Sequence, residues 1–149
     1  MHPNKQLKKI YDRFISLKGD PQAIAFGMAI GVFIGITPTI PFHTLLIVAV
    51  TCMLRQNFTA AYLGSWIVMN PVTIPFFYMT QYHIGKFFIG SDQLQIVFND
   101  YSIWNIINTG WCVAYPLLLG GFLMAPFFAI PAYFITHKAV VSIRKKRKS

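Results

Sequence analysis

The chain has 149 residues, of which 55% are hydrophobic, 16% are aromatic and only 11% are charged. A soluble domain is about one-quarter charged, because its surface needs polar groups to stay in water. With 13 basic residues against 4 acidic ones, this composition excludes a soluble globular enzyme, a disordered linker and a disulfide scaffold. It favours a small integral membrane protein with a single domain over residues 1–149.

Basic residues concentrate at the two ends of the chain. Five precede Gly19 and six follow His137, which leaves only Arg55 and Lys86 between them. Three long runs carry no charge: 21–54, 56–85 and 101–137. Each exceeds the roughly 20 apolar residues that cross a bilayer as a helix. Because Lys and Arg beside apolar spans mark the cytoplasmic side, we expect a multi-pass protein with both termini in the cytoplasm.

The first 20 residues are predicted to contain a basic amphipathic helix over 4–18. Its apolar residues recur at spacings of three and four, opposite the lysines. Such a helix either lies flat on an anionic leaflet or packs on the protein's own cytoplasmic face. The basic run at 144–148 is also better matched to anionic lipid head groups than to nucleic acid, so no nucleic-acid partner is expected.

Each of the first two charge-free runs is interrupted by a pair of prolines, Pro38 with Pro41 and Pro71 with Pro75. Proline lacks the N–H that a helix interior needs and clashes with the preceding turn. Two closely spaced prolines therefore end one helix and begin another. The predicted half-helices are 22–36, 42–54, 58–70 and 76–90.

None of these half-helices can cross a membrane alone, since the longest reaches about 22 Å against a hydrocarbon core of roughly 30 Å. The sequence therefore predicts an all-α membrane protein in which 21–54 and 58–90 form two broken, re-entrant helical hairpins. Ile-Pro-Phe occurs at both breaks, at 40–42 and 74–76, which we interpret as a weak internal repeat. Paired, proline-interrupted segments indicate a mid-membrane substrate site in transporters, and a kinked bundle without a ligand is the alternative.

Three glycines spaced by four residues, Gly27, Gly31 and Gly35, share one face of the first half-helix. Small residues at this spacing let two helix backbones approach closely. The partner on this face is either another helix of the same chain or a second copy in a homo-oligomer.

The last third of the chain is predicted to begin with an interfacial segment over 92–108, because its Tyr and Trp favour the head-group level. Membrane helices are expected over 109–137, as two short spans that turn near Gly120 and Gly121. A basic cytoplasmic tail follows at 138–149. Together with the two hairpins, these two spans keep both termini on one side.

Few side chains could carry catalysis or bind a metal. The four acidic residues lie outside the charge-free runs, and the histidines show no ligand spacing. We therefore expect no enzymatic activity, no cofactor and no metal.

Polar residues at the breaks are the candidate ligand-binding groups: Thr39, His43, Thr44, Asn70 and Thr73. They either cap backbone groups that the prolines free or face a ligand. Helices that start after Pro41 and Pro75 would present N–H groups and positive dipole ends, which suit phosphate. Arg55 is a further candidate as a clamp, although a loop anchor is the favoured interpretation. We expect Asn70 and His43 to matter more than Arg55.

Three stretches resemble the small bacterial membrane proteins of the domain of unknown function 2062 family: GDPQAIAFGMAIGVFIGITPTIPFHT at 19–44, LRQN at 54–57 and GSWIVMNPVTIPFFY at 64–78. The resemblance covers about half the chain and implies a location in the bacterial inner membrane. Because some relatives resemble fusions with glycosyltransferases that use polyprenyl-phosphate sugars, it also implies an isoprenoid or phospholipid partner.

Two functions from different classes are consistent with the sequence. In the first, the protein binds and translocates an anionic lipid such as a polyprenyl phosphate or a phospholipid. In the second, it is a non-transporting adaptor that recruits envelope-biosynthesis enzymes or self-assembles.

Overall fold

In the computed structural model, the described residues are Lys5, Lys8, Lys9, 19–39, 42–90 and 103–148, without the side chains of 103–109 and Arg147. These ranges contain five helices and no strand, which confirms the all-α class for them. The helices are α1 (Pro21–Ile36), α2 (His43–Met53), α3 (Phe58–Val68), α4 (Thr73–Ile89) and α5 (Ile103–Lys148). Most of the predicted helix over 4–18 and residues 91–102 lie outside the described residues.

Local chemistry explains where α1 and α3 begin and end. The Asp20 carboxylate caps α1 by accepting from Gln22 N, and the amide oxygen of Asn57 caps α3 by accepting from Ala60 N at 3.0 Å. The helix α1 ends at Ile36, two residues before Pro38, because proline has no N–H to continue the ladder. The observed bounds agree with the predicted half-helices 22–36 and 58–70 to within two residues.

The chain turns back on itself between α1 and α2. Ile47 of α2 packs against Ile34 of α1. After α2, Asn57 N donates to Ala23 O at 3.4 Å, which brings the chain back to the start of α1. The two helices therefore run antiparallel.

The glycine face of α1 packs against α3 of the same chain. Its contacts run in the same order along both helices: Gly27 with Asn57, Gly31 with Ala61, and Gly35 with Ser65. The two helices are therefore parallel, and their backbones touch without intervening side chains. The sequence left open whether this face packs on a helix of the same chain or on a second copy. In the structure it packs on α3 of the same chain.

The helix α4 does not fold back on α3, so the prediction of a second hairpin over 58–90 is wrong. Contacts between α5 and α1 run in opposite directions along the two helices: Gly19 with Arg144, Phe26 with Tyr133, and Phe33 with Phe122. Those between α5 and α4 do the same: Phe77 with Phe128, Gln81 with Gly120, and Gly85 with Pro116. Hence α4 runs in the same direction as α1 and α3, with Gln81 in its middle level with the end of α1 and only its second half beyond that end. It packs on α5 instead of α3 because Gly85 and Gly120 allow close backbone contact there.

The last third of the chain is one helix, so the prediction of two spans that turn near Gly120 and Gly121 is wrong. The helix α5 has 46 residues and includes Pro116, Pro126 and Pro131. The two glycines serve packing instead of a turn: Gly120 contacts the backbone of Gln81, and Gly121 contacts Pro38. Residues 103–108 of the predicted interfacial segment and most of the basic tail also belong to α5.

The start of α1 and the end of α5 lie at the same end of the bundle, where the Arg144 guanidinium donates to Gly19 O. Within α5, residues Gly110–Lys146 are long and apolar enough to cross a membrane, with a mean hydropathy of 1.9 over the most apolar stretch. Among the described residues this is the one helix that meets both criteria.

Candidate functional site

The two proline breaks lie side by side. We name the first break residues 37–42, of which 40 and 41 are not described, and the second break residues 69–72. Because α1 and α3 run parallel, both breaks follow helix ends at the same level. A Cβ placed on Gly35 would lie 3.3 Å from Ser65 O and 3.4 Å from Val68 Cβ. The structure therefore brings together the two regions that the weak repeat singled out.

The second break is held by Thr73 and by the backbone of Asn70. Asn70 O accepts from Thr73 N at 2.9 Å and from Ile74 N at 3.0 Å. The Thr73 hydroxyl lies 2.6 Å from Val68 O, to which it donates, and it accepts from Asn70 N at 3.2 Å. Thr73 thus ties the last turn of α3 to the first turn of α4. The side chain of Asn70 is exposed and is not needed for these bonds.

This bonding corrects the predicted anion-binding role of α4. The helix begins at Thr73, two residues before Pro75 and not after it. Two of its first three positions donate to Asn70 O, and the third is Pro75, which has no N–H. The start of α4 therefore has few donors left for a phosphate.

At the first break, threonines close the end of α1. The Thr37 N–H and hydroxyl both donate to Phe33 O, at 3.2 and 3.0 Å. The Thr39 N–H donates to Thr37 O at 2.8 Å. His43 is the first residue of α2, and its Nδ1 is buried without a hydrogen-bond partner among the described residues. Thr44, the next residue, is exposed.

Gln81 is the polar residue at the breaks that the sequence reasoning missed. It lies in the middle of α4 and is 0% exposed. Its Nε2 donates to Ile36 O at 2.6 Å, so α4 is bonded to the last residue of α1. Its Oε1 has no partner in the described part of the chain. The available signal was an amide side chain in the middle of an apolar helical stretch, since a buried polar group has to be satisfied.

An apolar cleft of about 410 Å³ opens between α1, α2 and α5, next to the first break. Its wall is apolar, because the hydroxyls of Thr37 and Thr39 at the end of α1 donate to backbone carbonyls and do not face the cleft. It is lined by Ala29, Ile30, Phe33, Ile34, Thr37, Thr39, Leu46, Val50 and Ala129. The sequence contained no signal for this cleft, because its walls come from three helices.

Comparison with known proteins places the chain in a bacterial family. The family model described as an uncharacterized protein conserved in bacteria (DUF2062) matches residues 4–149. The chain belongs to this family. No curated protein and no solved structure matches it.

In this DUF2062 chain, Arg55 lies apart from the other predicted site residues. It follows α2, whose 11 residues separate it from the first break, so it is roughly 18 Å from His43 at 1.5 Å per residue. Its φ of 52° is left-handed, and Gln56 N donates to Thr51 O at 2.9 Å across the turn. Arg55 therefore closes the end of α2 and cannot act as a clamp at the breaks.

Arg55 instead belongs to a basic end of the bundle. The 54–57 loop is bonded to the start of α1, which also contacts Arg144. The exposed lysines of the last turns of α5 follow directly: Lys145, Lys146 and Lys148. The other charged residue of the middle of the chain, Lys86, lies in the last turn of α4, beyond the end of α1. The positive charge of the described residues is thus concentrated at one end.

Proposed function

We propose that the chain is a multi-pass protein of the bacterial inner membrane that binds an anionic lipid. The hydrocarbon chain of the lipid occupies the cleft, and its head group contacts the basic end. The observation that carries this proposal is the apolar cleft between α1, α2 and α5, whose wall includes Val50, five residues before Arg55 at the basic end.

Membrane insertion is supported by which side chains are exposed. Only 28% of the most apolar stretch of α5 is buried, whereas a core helix of a soluble protein would be mostly buried. Large apolar side chains are also exposed on the other helices, including Phe26 at 48%, Met53 at 82%, Trp66 at 68% and Phe87 at 83%. An aqueous surface does not favour so many large exposed apolar side chains, whereas lipid chains cover them.

The helix directions support two crossings. The helix α3 is about 16 Å long at 1.5 Å per residue, and the part of α4 after Gln81 adds about 12 Å beyond the ends of α1 and α3. Together they nearly match the roughly 30 Å hydrocarbon core, and α5 returns. The α1–α2 hairpin enters and leaves on one side, as a re-entrant element. Both termini then lie on one side, and the basic end marks that side as cytoplasmic.

The dimensions suit one lipid. Val50 at the lower wall of the cleft is about 8 Å along the chain from Arg55, so a head group at Arg55 places the first carbons of the chain in the cleft. The chain can then extend toward the first break along apolar walls that include Phe33 and Leu46. We also propose that the protein translocates the lipid along this route.

Lipid binding is tested by native mass spectrometry of the purified protein with equal amounts of phosphatidylglycerol and phosphatidylcholine. We expect the anionic lipid to be retained preferentially. Ala29→Leu fills the cleft and should lower occupancy several-fold, whereas Ala49→Leu, on the exposed side of α2, should not. Arg55→Gln should reduce the preference for the anionic lipid about 5-fold, since one basic residue near the surface contributes about 1 kcal/mol. Lys86→Gln at the opposite end is the matched control.

Translocation is tested separately in vesicles that contain labelled phosphatidylglycerol or polyprenyl phosphate. Faster loss of leaflet asymmetry in vesicles with the wild-type protein than with Ala29→Leu supports it. If Ala29→Leu binds as much lipid as the wild-type protein, lipid binding in the cleft is refuted and the adaptor interpretation becomes the better one. That adaptor would not assemble through the glycine face, because α3 already fills it.

A further inference from the structure

We infer that Tyr133 and His137 of α5 bind the phosphate group of the lipid, just outside the cleft on the side of the basic end. This inference rests on the proposed lipid binding, and it identifies the side chains that select a phosphate head group.

The position of the two residues follows from the periodicity of α5. Ala129 lines the cleft, and Tyr133 and His137 follow it about one and two turns later on the same side of the helix. The last turns of α5 belong to the basic end, where Arg144 meets Gly19. Tyr133 and His137 therefore lie between the cleft and the basic end.

Phe26 occupies the corresponding position on α1. It precedes the cleft-lining residues Ile30 and Phe33 by four and seven positions, so the three share one face of the helix. The Phe26 ring meets the Tyr133 ring edge to face, with 5.8 Å between the ring centroids. The ring pair thus joins α1 to α5 directly beyond the cleft. Phe26 is nevertheless 48% exposed, so a ligand that extends out of the cleft can pass over it.

The polar atoms of Tyr133 and His137 are available to such a ligand. The His137 imidazole stacks on the Tyr133 ring, with 6.0 Å between the centroids and an interplanar angle of 13°. Both side chains are half-buried. None of the hydrogen bonds of the described residues involves either side chain, so the rings are fixed by packing while their donors stay unused.

Side-chain chemistry changes along α5 as it does along a lipid. Residues 116–132 carry no polar side chain, and Tyr133 and His137 are among the first polar residues that follow. A tyrosine hydroxyl offers one donor, and an imidazole offers at least one in either protonation state. A hydrocarbon chain needs no donor, whereas a phosphate accepts strong, charge-assisted hydrogen bonds. The apolar stretch therefore suits the lipid chain, and the two donors suit its phosphate.

Distances along the two sides of the cleft agree with this arrangement. Tyr133 and His137 lie about 6 and 12 Å along α5 from Ala129, at 1.5 Å per residue. On the side of α2, Arg55 lies about 8 Å along the chain from Val50. A phosphate just outside the cleft is therefore within reach of donors on α5 and close to the positive charge that follows α2.

The test compares the affinities of the purified protein in detergent for phosphatidic acid and for diacylglycerol with the same acyl chains, by titration in native mass spectrometry. The two lipids differ only in the phosphate group. Tyr133→Phe removes the hydroxyl and His137→Phe removes the N–H, and both keep the ring that packs. We expect each variant to lower the affinity for phosphatidic acid about 10-fold, the effect of one hydrogen bond to a charged group. The affinity for diacylglycerol should not change.

Matched controls separate a head-group contact from a structural role. His137→Gln supplies an N–H donor without the ring and should retain most of the affinity for phosphatidic acid. Tyr82→Phe and His83→Phe alter another Tyr–His ring pair, which lies on α4 and outside the cleft wall. Both should bind the two lipids as the wild-type protein does. An unchanged Tm shows that each variant is folded.

The outcomes distinguish this inference from lipid binding itself. Unchanged affinity for phosphatidic acid in either Tyr133→Phe or His137→Phe overturns the inference and leaves lipid binding in the cleft intact. An equal loss of affinity for both lipids also overturns it, because the rings then contact only the hydrocarbon chain. If Ala29→Leu binds both lipids as the wild-type protein does, lipid binding in the cleft fails, and the inference fails with it.

Discussion

The backbones of α1 and α3 are so close that the loss of stability caused by one added methyl group on Gly31 can be predicted. A Cβ on Gly31 would lie 1.8 Å from Ala61 O, 2.6 Å from Ala61 C and 2.8 Å from Ala61 Cα. All three atoms belong to the backbone, so no side-chain rotation can make room. The two helices would have to separate by more than an ångström along their longest shared interface.

The other glycines differ in how close an added Cβ would come to its nearest neighbouring atom. The nearest atom to a Cβ on Gly27 is Asn57 O at 2.5 Å, whereas on Gly35 it is Ser65 Cα at 3.2 Å, and at Gly110 nothing lies within 4 Å. Overpacking lowers the free energy of unfolding by about 1–3 kcal/mol. We expect the loss for Gly31→Ala to lie at the upper end of this range. Gly110→Ala should be neutral or stabilising, because alanine favours a helix over glycine by about 0.5–1 kcal/mol.

The assay is thermal unfolding of detergent-solubilised protein, followed by loss of the monodisperse peak in size-exclusion chromatography. For a chain of this size, 1 kcal/mol corresponds to roughly 3–4 °C in Tm. Gly31→Ala should therefore lower Tm by about 6–12 °C, Gly27→Ala by less, and Gly35→Ala least. A Tm for Gly31→Ala within 2 °C of wild type, or a larger loss for Gly35→Ala, would refute the close parallel contact.

The remaining predictions concern the ends, the turn after α2 and the second break. Cysteines placed at Lys5 and Ser149 should both react with an impermeant maleimide only from the cytoplasmic side; labelling on opposite sides contradicts two crossings. Arg55→Gly should raise Tm by a few degrees, since a side chain in the left-handed region costs about 1–2 kcal/mol, and no gain would mean that the residue is not strained. Thr73→Val should lower Tm more than Thr73→Ser, because the serine keeps the capping hydroxyl, which contributes about 1 kcal/mol. Asn70→Ala should leave Tm nearly unchanged and reduce lipid translocation; full translocation by the folded variant would remove Asn70 from the site.

Helix ends were predictable because the forces that set them are local. Proline lacks an N–H wherever it occurs, so the ends of α1 and α3 could be read from Pro38 and Pro71 alone. Polar caps such as Asp20 and Asn57 act within three residues of sequence. The same reasoning identified the glycine face of α1, since small residues every four positions always share one side of a helix.

Helix directions were not predictable from such local signals. A proline break permits a fold-back, as between α1 and α2, or a continuation, as between α3 and α4. Which of them forms depends on the partner: α4 finds a close-packing surface on α5 through Gly85 and Gly120. The same glycine chemistry explains why Gly120 and Gly121 were mistaken for a turn.

The sequence by itself determined the helical class, the membrane-like composition, the concentration of basic residues at both ends and the position of each break. These follow from the properties of single residues and their spacing. Only the tertiary structure decided that Arg144 near the end of α5 meets Gly19 at the start of α1, that Arg55 lies far from the breaks, and that Gln81 reaches the end of α1. Those facts depend on which backbones can approach one another, and close approach requires complementary surfaces from segments that are far apart in the chain.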